Sequence, residues 1–257
     1  MARHDLQSTI PVIERSLEFF RPHHLELRKR LITVFLTILV CTVAAYVFAE
    51  QIAGLFISPL FAASPLVYKL VYTNLPEAFL AYIKLALLVG IIVSMPVALY
   101  QLWAFIAPGL RKNEKKMAVT IVFWGTLLFS SGACFAFLVV LPKMLVYFMS
   151  YAGDGLEPLP KLGKYLTFVA RTILAFGISF QIPFLMVMTG KANFVQAAYF
   201  RRKRFYFYMA IVVLSFLLTA GDFVATALMA FPLFLLYEAG IFLSALFNRK
   251  SSTDRSS

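Results

Sequence analysis

A chain of 257 residues that is 61% apolar and 14% charged, with a mean hydropathy of +0.82, is a membrane protein on bulk composition, because soluble domains run nearer half apolar and a quarter charged. The surplus of twelve positive charges is therefore read through the segments between apolar runs, as a matter of orientation, and not as a nucleic-acid footprint. Cys41 and Cys134 both fall inside apolar runs as small hydrophobes, so no disulfide framework or metal-ligand spacing is present. His4, His23 and His24 lie outside those runs, and no Walker motif occurs. No cofactor and no metal are expected, and the chain is not expected to be an enzyme.

Residues 1–30 are charged and mixed, without the apolar core and small-residue cleavage site of a removable signal peptide. A bilayer core of roughly 30 Å needs about 20 apolar residues per helix, and six candidate spans follow: 31–49, 79–107, 117–141, 165–189, 205–220 and 223–247. The fold class is all-α, a polytopic membrane protein of six transmembrane helices forming one domain over 1–248, with a polar tail, 249–257, expected to be disordered. Pro96 and Pro183 remove backbone donors inside the second and fourth spans and predict a bend in each. The fifth span is short, and only the turn "TAGD" (219–222) leads from it to the sixth. The pair predicts a tight hairpin that does not fully cross an undisturbed bilayer.

Lys and Arg set the orientation. The N-terminal segment, the second–third and fourth–fifth connections and the C-terminal tail together carry eighteen of them, whereas the alternate connections carry Lys69, Lys161 and Lys164. Both termini are predicted to be cytoplasmic.

Against this positive field two carboxylates stand alone. Glu26 sits in "HHLELRKRL" (23–31) among Arg28, Lys29 and Arg30, and Glu114 sits in "APGLRKNEKK" (107–116) among four cations. Glu26 is spaced for a local i,i+4 ion pair with Arg30; alternatively the two segments each offer one carboxylate to clasp a cationic ligand, the surrounding charge keeping both ionised. Asp222, between the last two spans, suits a helix cap. Glu238 lies in the sixth span, where an ionisable group marks either a functional site or a side chain snorkelling to the interface. Gln181, beside Pro183, requires a partner across a helix interface. Arg171 must face the bundle, pair or snorkel. "RRKR" (201–204), ahead of a span, reads as an orientation anchor.

The ordered set "HLELRKRL" (24–31), "PVALYQLWAFIAPGLRKNEKK" (96–116), "YLTFVARTILAFGISFQIPF" (165–184), "LLTAGDF" (217–223) and "FPLFLLYEAG" (231–240) resembles TatC, the multispanning subunit of the twin-arginine protein translocase. The resemblance implies a curved, glove-like wall of six helices, with the last two short. It also implies a receptor for signal peptides bearing consecutive arginines, within a complex that exports folded proteins on the proton-motive force. Glu26, Glu114, Arg28 and Leu31 take the signal-peptide positions. Gln181, Asp222, Thr226 and Glu238 take the intramembrane partner positions, and Pro96, Pro108 and Pro183 are structural. The implied partners are twin-arginine signal peptides, TatA-type and TatB-type single-span subunits, the lipid bilayer and further copies of the chain, with no nucleic acid. The implied location is the bacterial cytoplasmic (inner) membrane, ahead of a thylakoid. Two departures stand out: "AGD" (220–222) replaces the family's frequent "PPD", and Thr226 stands where a Gln is common. Arg171 has no counterpart in the pattern. The alternatives are a six-span solute transporter lined by Glu238, Arg171 and Gln181, and an inert scaffold for other membrane proteins.

Overall fold

The computed structural model describes residues 4–63, 67, 69–106, 115–151, 158–191, 197–219 and 221–253, with side chains within 25–63, 67, 69–105, 119–151, 158–190, 198–219 and 221–246. Among the described residues ten α-helices follow in order: α1 His4–Val47, α2 Ala49–Ala63, α3 Leu75–Ile106, α4 Lys115–Phe135, α5 Leu141–Met149, α6 Leu162–Ser179, α7 Gln181–Lys191, α8 Ala197–Arg202, α9 Arg204–Leu218 and α10 Phe223–Thr253. Among the described residues extended structure is limited to one backbone bridge, Val71 to Lys161. The chain is thus all-helical, as expected.

Among the described residues five stretches are long and apolar enough to cross a membrane: Leu25–Val47, Leu75–Phe105, Val119–Met149, Leu162–Gly190 and Phe223–Leu246. The expected fifth span, α9, has 15 residues and reaches only about 22 Å at 1.5 Å per residue. Several boundaries differ from expectation. The helix of the first span begins far upstream, at His4, and the third continues eight residues past Leu141 to Met149.

Proline explains two local features. Pro142, just inside α5, cannot donate to the carbonyl four residues back. The chain widens into a π-helical turn over Ala136–Val140, in which Leu141 N–H reaches Ala136 O. Pro183 likewise leaves Ser179 without its helical donor, and the fourth span divides at Phe180 into α6 and α7. Pro96, by contrast, is carried inside an uninterrupted α3.

Close approaches between helices fix their directions. Arg30 stands beside Gln101 and Thr42 beside Gly90, so α1 runs antiparallel to α3. Glu77 meets Gly163 and Lys84 meets Thr167, so α3 and α6 are parallel. Gly125 meets Gln181 and Phe129 meets Gly177, so α4 opposes α6 and α7. Gly240 packs on Pro183 and Ser244 on Met186, so α7 and α10 are parallel, while α9 opposes α10 through Arg204–Glu238 and Tyr208–Phe234. One end of the molecule therefore collects the start of α1, the α3–α4 and α7–α9 connections and the end of α10. Fourteen of the described Lys and Arg residues fall in these segments.

The core is a spine of side chains sealed between these helices, with Leu85, Leu88, Phe129, Val169, Ile173, Phe176, Met229, Tyr237 and Ile241 at most 2% exposed. Glycine permits the tightest approaches: a Cβ at Gly132 would lie 2.7 Å from the Phe180 ring, and one at Gly177 would lie 2.8 Å from the Phe129 ring. α1 hangs on the outer side of α3, and only 6% of its apolar window is buried.

Candidate functional site

At the cation-rich end, α1 presents Glu26 one helical turn before Arg30. The Arg30 guanidinium pairs with the Glu26 carboxylate through Nη2 and reaches Gln101 Oε1 of α3 at 3.4 Å through Nη1. The spacing expected for a local ion pair is therefore realised, with an added tie to the neighbouring helix. The Glu26 side chain keeps 40% of its surface exposed against 22% for Arg30. Twelve residues along α1, from Arg30 to Thr42, correspond to eleven residues back along α3, from Gln101 to Gly90. The same register sets Glu26 opposite Phe105, at the end of α3 where the connection to α4 departs. Arg28 and Leu31 lie on the exposed face of α1, Leu31 at 59%. Glu114 and Pro108 belong to that connection, outside the described residues.

The four positions expected to make intramembrane partner contacts form three separate groups. Gln181, at the start of α7, is buried and donates through Nε2 to Gly125 O of α4 at 2.9 Å. Its amide thus has the partner across a helix interface that such a position requires, while Oε1 is buried without a hydrogen-bond partner among the described residues. Asp222 caps α10: Oδ1 accepts from Ala225 N–H at 2.7 Å and from the Tyr147 hydroxyl at 3.1 Å. One turn on, the Thr226 hydroxyl meets Thr219 Oγ1 at 2.8 Å, so α9, the turn and α10 are knotted together. Gly221 holds φ +92°, a value closed to proline, whose ring fixes φ near −65°. The "AGD" turn therefore follows its own backbone path at this residue.

Glu238 is neither isolated nor simply snorkelling. Its Oε2 pairs with Arg204 Nη2 at 2.7 Å, and its Oε1 accepts from the Tyr208 hydroxyl. Arg204, the last residue of "RRKR", thus closes the α9–α10 hairpin at the basic end. The run is therefore more than the orientation anchor expected from sequence: its last residue is the partner of Glu238. The available signal was spacing: two helices joined by a four-residue turn bring the start of one opposite the end of the other. Asp222 and Glu238 are sixteen residues apart, roughly 24 Å along a helix axis, so they cannot serve one contact.

Glu77 went unremarked in the sequence. It accepts from Thr73 N–H at 2.8 Å and Gly163 N–H at 3.2 Å, tying the starts of α3 and α6 together at the other end. Arg171 is exposed beside it, with Lys84, Lys164 and Leu217, on a cavity of about 510 Å³. Among the described residues no group of three or more His, Cys, Asp or Glu side chains could hold a metal ion.

A family model described as Sec-independent protein translocase protein (TatC) matches residues 22–232. The chain is 33% identical over 235 residues to the Sec-independent protein translocase protein TatC of Desulforapulum autotrophicum, across 91% of this chain and 87% of that protein. It is 35% identical over 247 residues to the protein of the same name from Azotobacter chroococcum, across 95% and 92%. A crystal structure of the twin-arginine translocase receptor TatC matches at a TM-score of 0.80 and 33% identity, covering 88% of this chain and 99% of that one. With fold, span pattern and sequence in agreement along most of its length, the chain belongs to the TatC family.

Proposed function

We propose that this protein is the twin-arginine signal-peptide receptor and core subunit of a translocase that exports folded proteins on the proton-motive force. One observation carries the site assignment: Glu26 is a half-exposed carboxylate at the end of α3, where the connection bearing Glu114 departs, in the most basic part of the molecule. A carboxylate accepts from about four directions, so Glu26 can hold Arg30 and an incoming guanidinium together. Guanidinium is permanently charged and forks onto carboxylate in a planar, bidentate pair that an ammonium copies poorly. A hydrogen bond to a charged group contributes about 1.5–3 kcal/mol, so two carboxylates reading adjacent arginines would discriminate by tens to thousands of fold. The surrounding Lys and Arg lower the total attraction and repel stray basic segments.

The remaining assignments rest on family membership and charge. The eighteen cations of the terminal segments and the second–third and fourth–fifth connections support an orientation with both termini cytoplasmic, six spans and multi-pass insertion in the bacterial inner membrane. Residues 1–248 form the single membrane domain and 249–257 the tail. TatA-type and TatB-type single-span subunits dock along the α9–α10 edge, whose outward face is apolar, and further copies of the chain complete the complex. The chain performs no covalent chemistry of its own. The solute-transporter alternative finds no support among the relatives.

The test is photo-crosslinking from a probe placed beside the arginine pair of a precursor's signal peptide. Glu26→Gln combined with Glu114→Gln should abolish the adduct while membrane insertion persists. An undiminished adduct in the double variant removes the site assignment.

A further inference from the structure

Arg171 takes part in none of the contacts assigned above, yet its surroundings are specific. It lies two turns along α6 from Lys164, on the same face, and Lys84 of α3 closes the cavity from the side, its ammonium donating to Thr167 Oγ1 at 3.3 Å. The described ion pairs are Glu26–Arg30 and Arg204–Glu238, so none of these three cations has a carboxylate partner among the described residues. Glu77 shares the cavity and holds Thr73 and Gly163, but it forms no ion pair with any of the three cations among the described residues. The lining therefore carries a formal charge of +2, from three cations and one carboxylate.

Depth makes this charge informative. Arg171 is nine residues into α6 from Leu162, about 13 Å along the axis. Lys164, at the helix start, can extend to the interface, whereas Arg171 would have to span most of that distance. A cation held at such a level requires a counter-charge. A free anion would itself have to leave water to supply one. A lipid phosphate starts at the boundary, so it need sink only part of that depth while Arg171 reaches towards it, and it brings an acyl chain; the remaining walls, Phe168, Leu217 and Leu218, are apolar, with Leu217 67% exposed.

We propose that this cavity binds the headgroup of an anionic phospholipid in the leaflet opposite the basic termini. Lys84, Lys164 and Arg171 contact its phosphate, and Phe168 with the end of α9 receives the start of an acyl chain. The lipid would wedge α6 against α9 and complete the charge balance of the wall.

The test uses the purified full-length chain in detergent, titrated with phosphatidylglycerol or phosphatidylcholine and read by native mass spectrometry. One phosphatidylglycerol should be retained at least about tenfold more tightly than phosphatidylcholine. Lys84→Gln with Arg171→Gln should remove at least about tenfold of that preference, the loss expected for charge-assisted contacts. Arg201→Gln with Arg202→Gln, at the other end, should leave it unchanged. Should the double variant melt early, Arg171→Gln alone, at an exposed position, should reproduce the loss. Equal retention of the two lipids, unchanged retention in the Arg171 variants, or displacement by equimolar inorganic phosphate would each overturn the proposal.

Discussion

Gly90→Ala should loosen the helix that carries Glu26 without touching Glu26 itself. A methyl group at Gly90 would sit 2.3 Å from Thr42 Oγ1, 2.8 Å from Thr42 N and 2.9 Å from Thr42 Cα. Carbon contacts settle at about 3.5–4.0 Å. Rotating the hydroxyl away relieves only the first clash; the other two involve backbone, so α1 must move off α3 by about 1 Å. Overpacking of this kind costs about 1–3 kcal/mol, against up to about 1 kcal/mol gained by replacing glycine in a helix. Gly54→Ala supplies the reference, since nothing lies within 4 Å of its added methyl, and it receives the helix gain alone. The difference between the two variants isolates the clash at about 1–3 kcal/mol, a gap in melting temperature of roughly 2–12 °C for a chain of this size. Thermal melts of the purified proteins in one detergent measure it. Binding of an Arg-Arg peptide should fall in Gly90→Ala and persist in Gly54→Ala. A Gly90→Ala protein melting with or above Gly54→Ala would refute the α1–α3 packing on which the position of Glu26 depends.

Other perturbations separate the remaining groups. Glu238→Gln and Arg204→Gln should each destabilise the α9–α10 hairpin by about 1 kcal/mol, because both side chains are roughly 40% exposed. The double variant should be little worse than either single one, as a double-mutant cycle on melting free energies will show. Asp222→Ala should cost about 1 kcal/mol through the lost cap and release the Tyr147 hydroxyl, while Asp222→Asn should retain most of the stability; equal loss in both would remove the capping role. Gln181→Leu should cost about 1 kcal/mol by surrendering the bond to Gly125 O, again read by melting.

The spans were largely legible because the driving pattern is local: a run of about 20 apolar residues declares itself in any window. Where the account needed two distant residues, legibility declined. The i,i+4 geometry of Glu26 and Arg30 lay within one helix and was readable; the tie from Arg30 to Gln101, 71 residues away, was not. Glu238 looked stranded at membrane depth because its partner, Arg204, belonged to a run with a ready explanation as an orientation anchor. The π-helical turn before Pro142 had a visible cause in the proline, but whether a helix breaks, as near Pro183, or carries on, as through Pro96, is decided by the packing around it. Gly221 is an intermediate case: glycine in a tight turn suggests a positive φ, and only the structure supplies the value that separates this turn from a proline-built one.

The most direct test is a double-mutant cycle between Glu26 and the first arginine of a signal peptide, measured as equilibrium binding to the purified full-length protein. Glu26→Gln in the protein and Arg→Gln in the peptide should each weaken binding by about tenfold or more, and the combination should be no weaker than the worse single change, a coupling of about 1.4 kcal/mol or greater. Strictly additive losses would mean that this carboxylate and that guanidinium never meet.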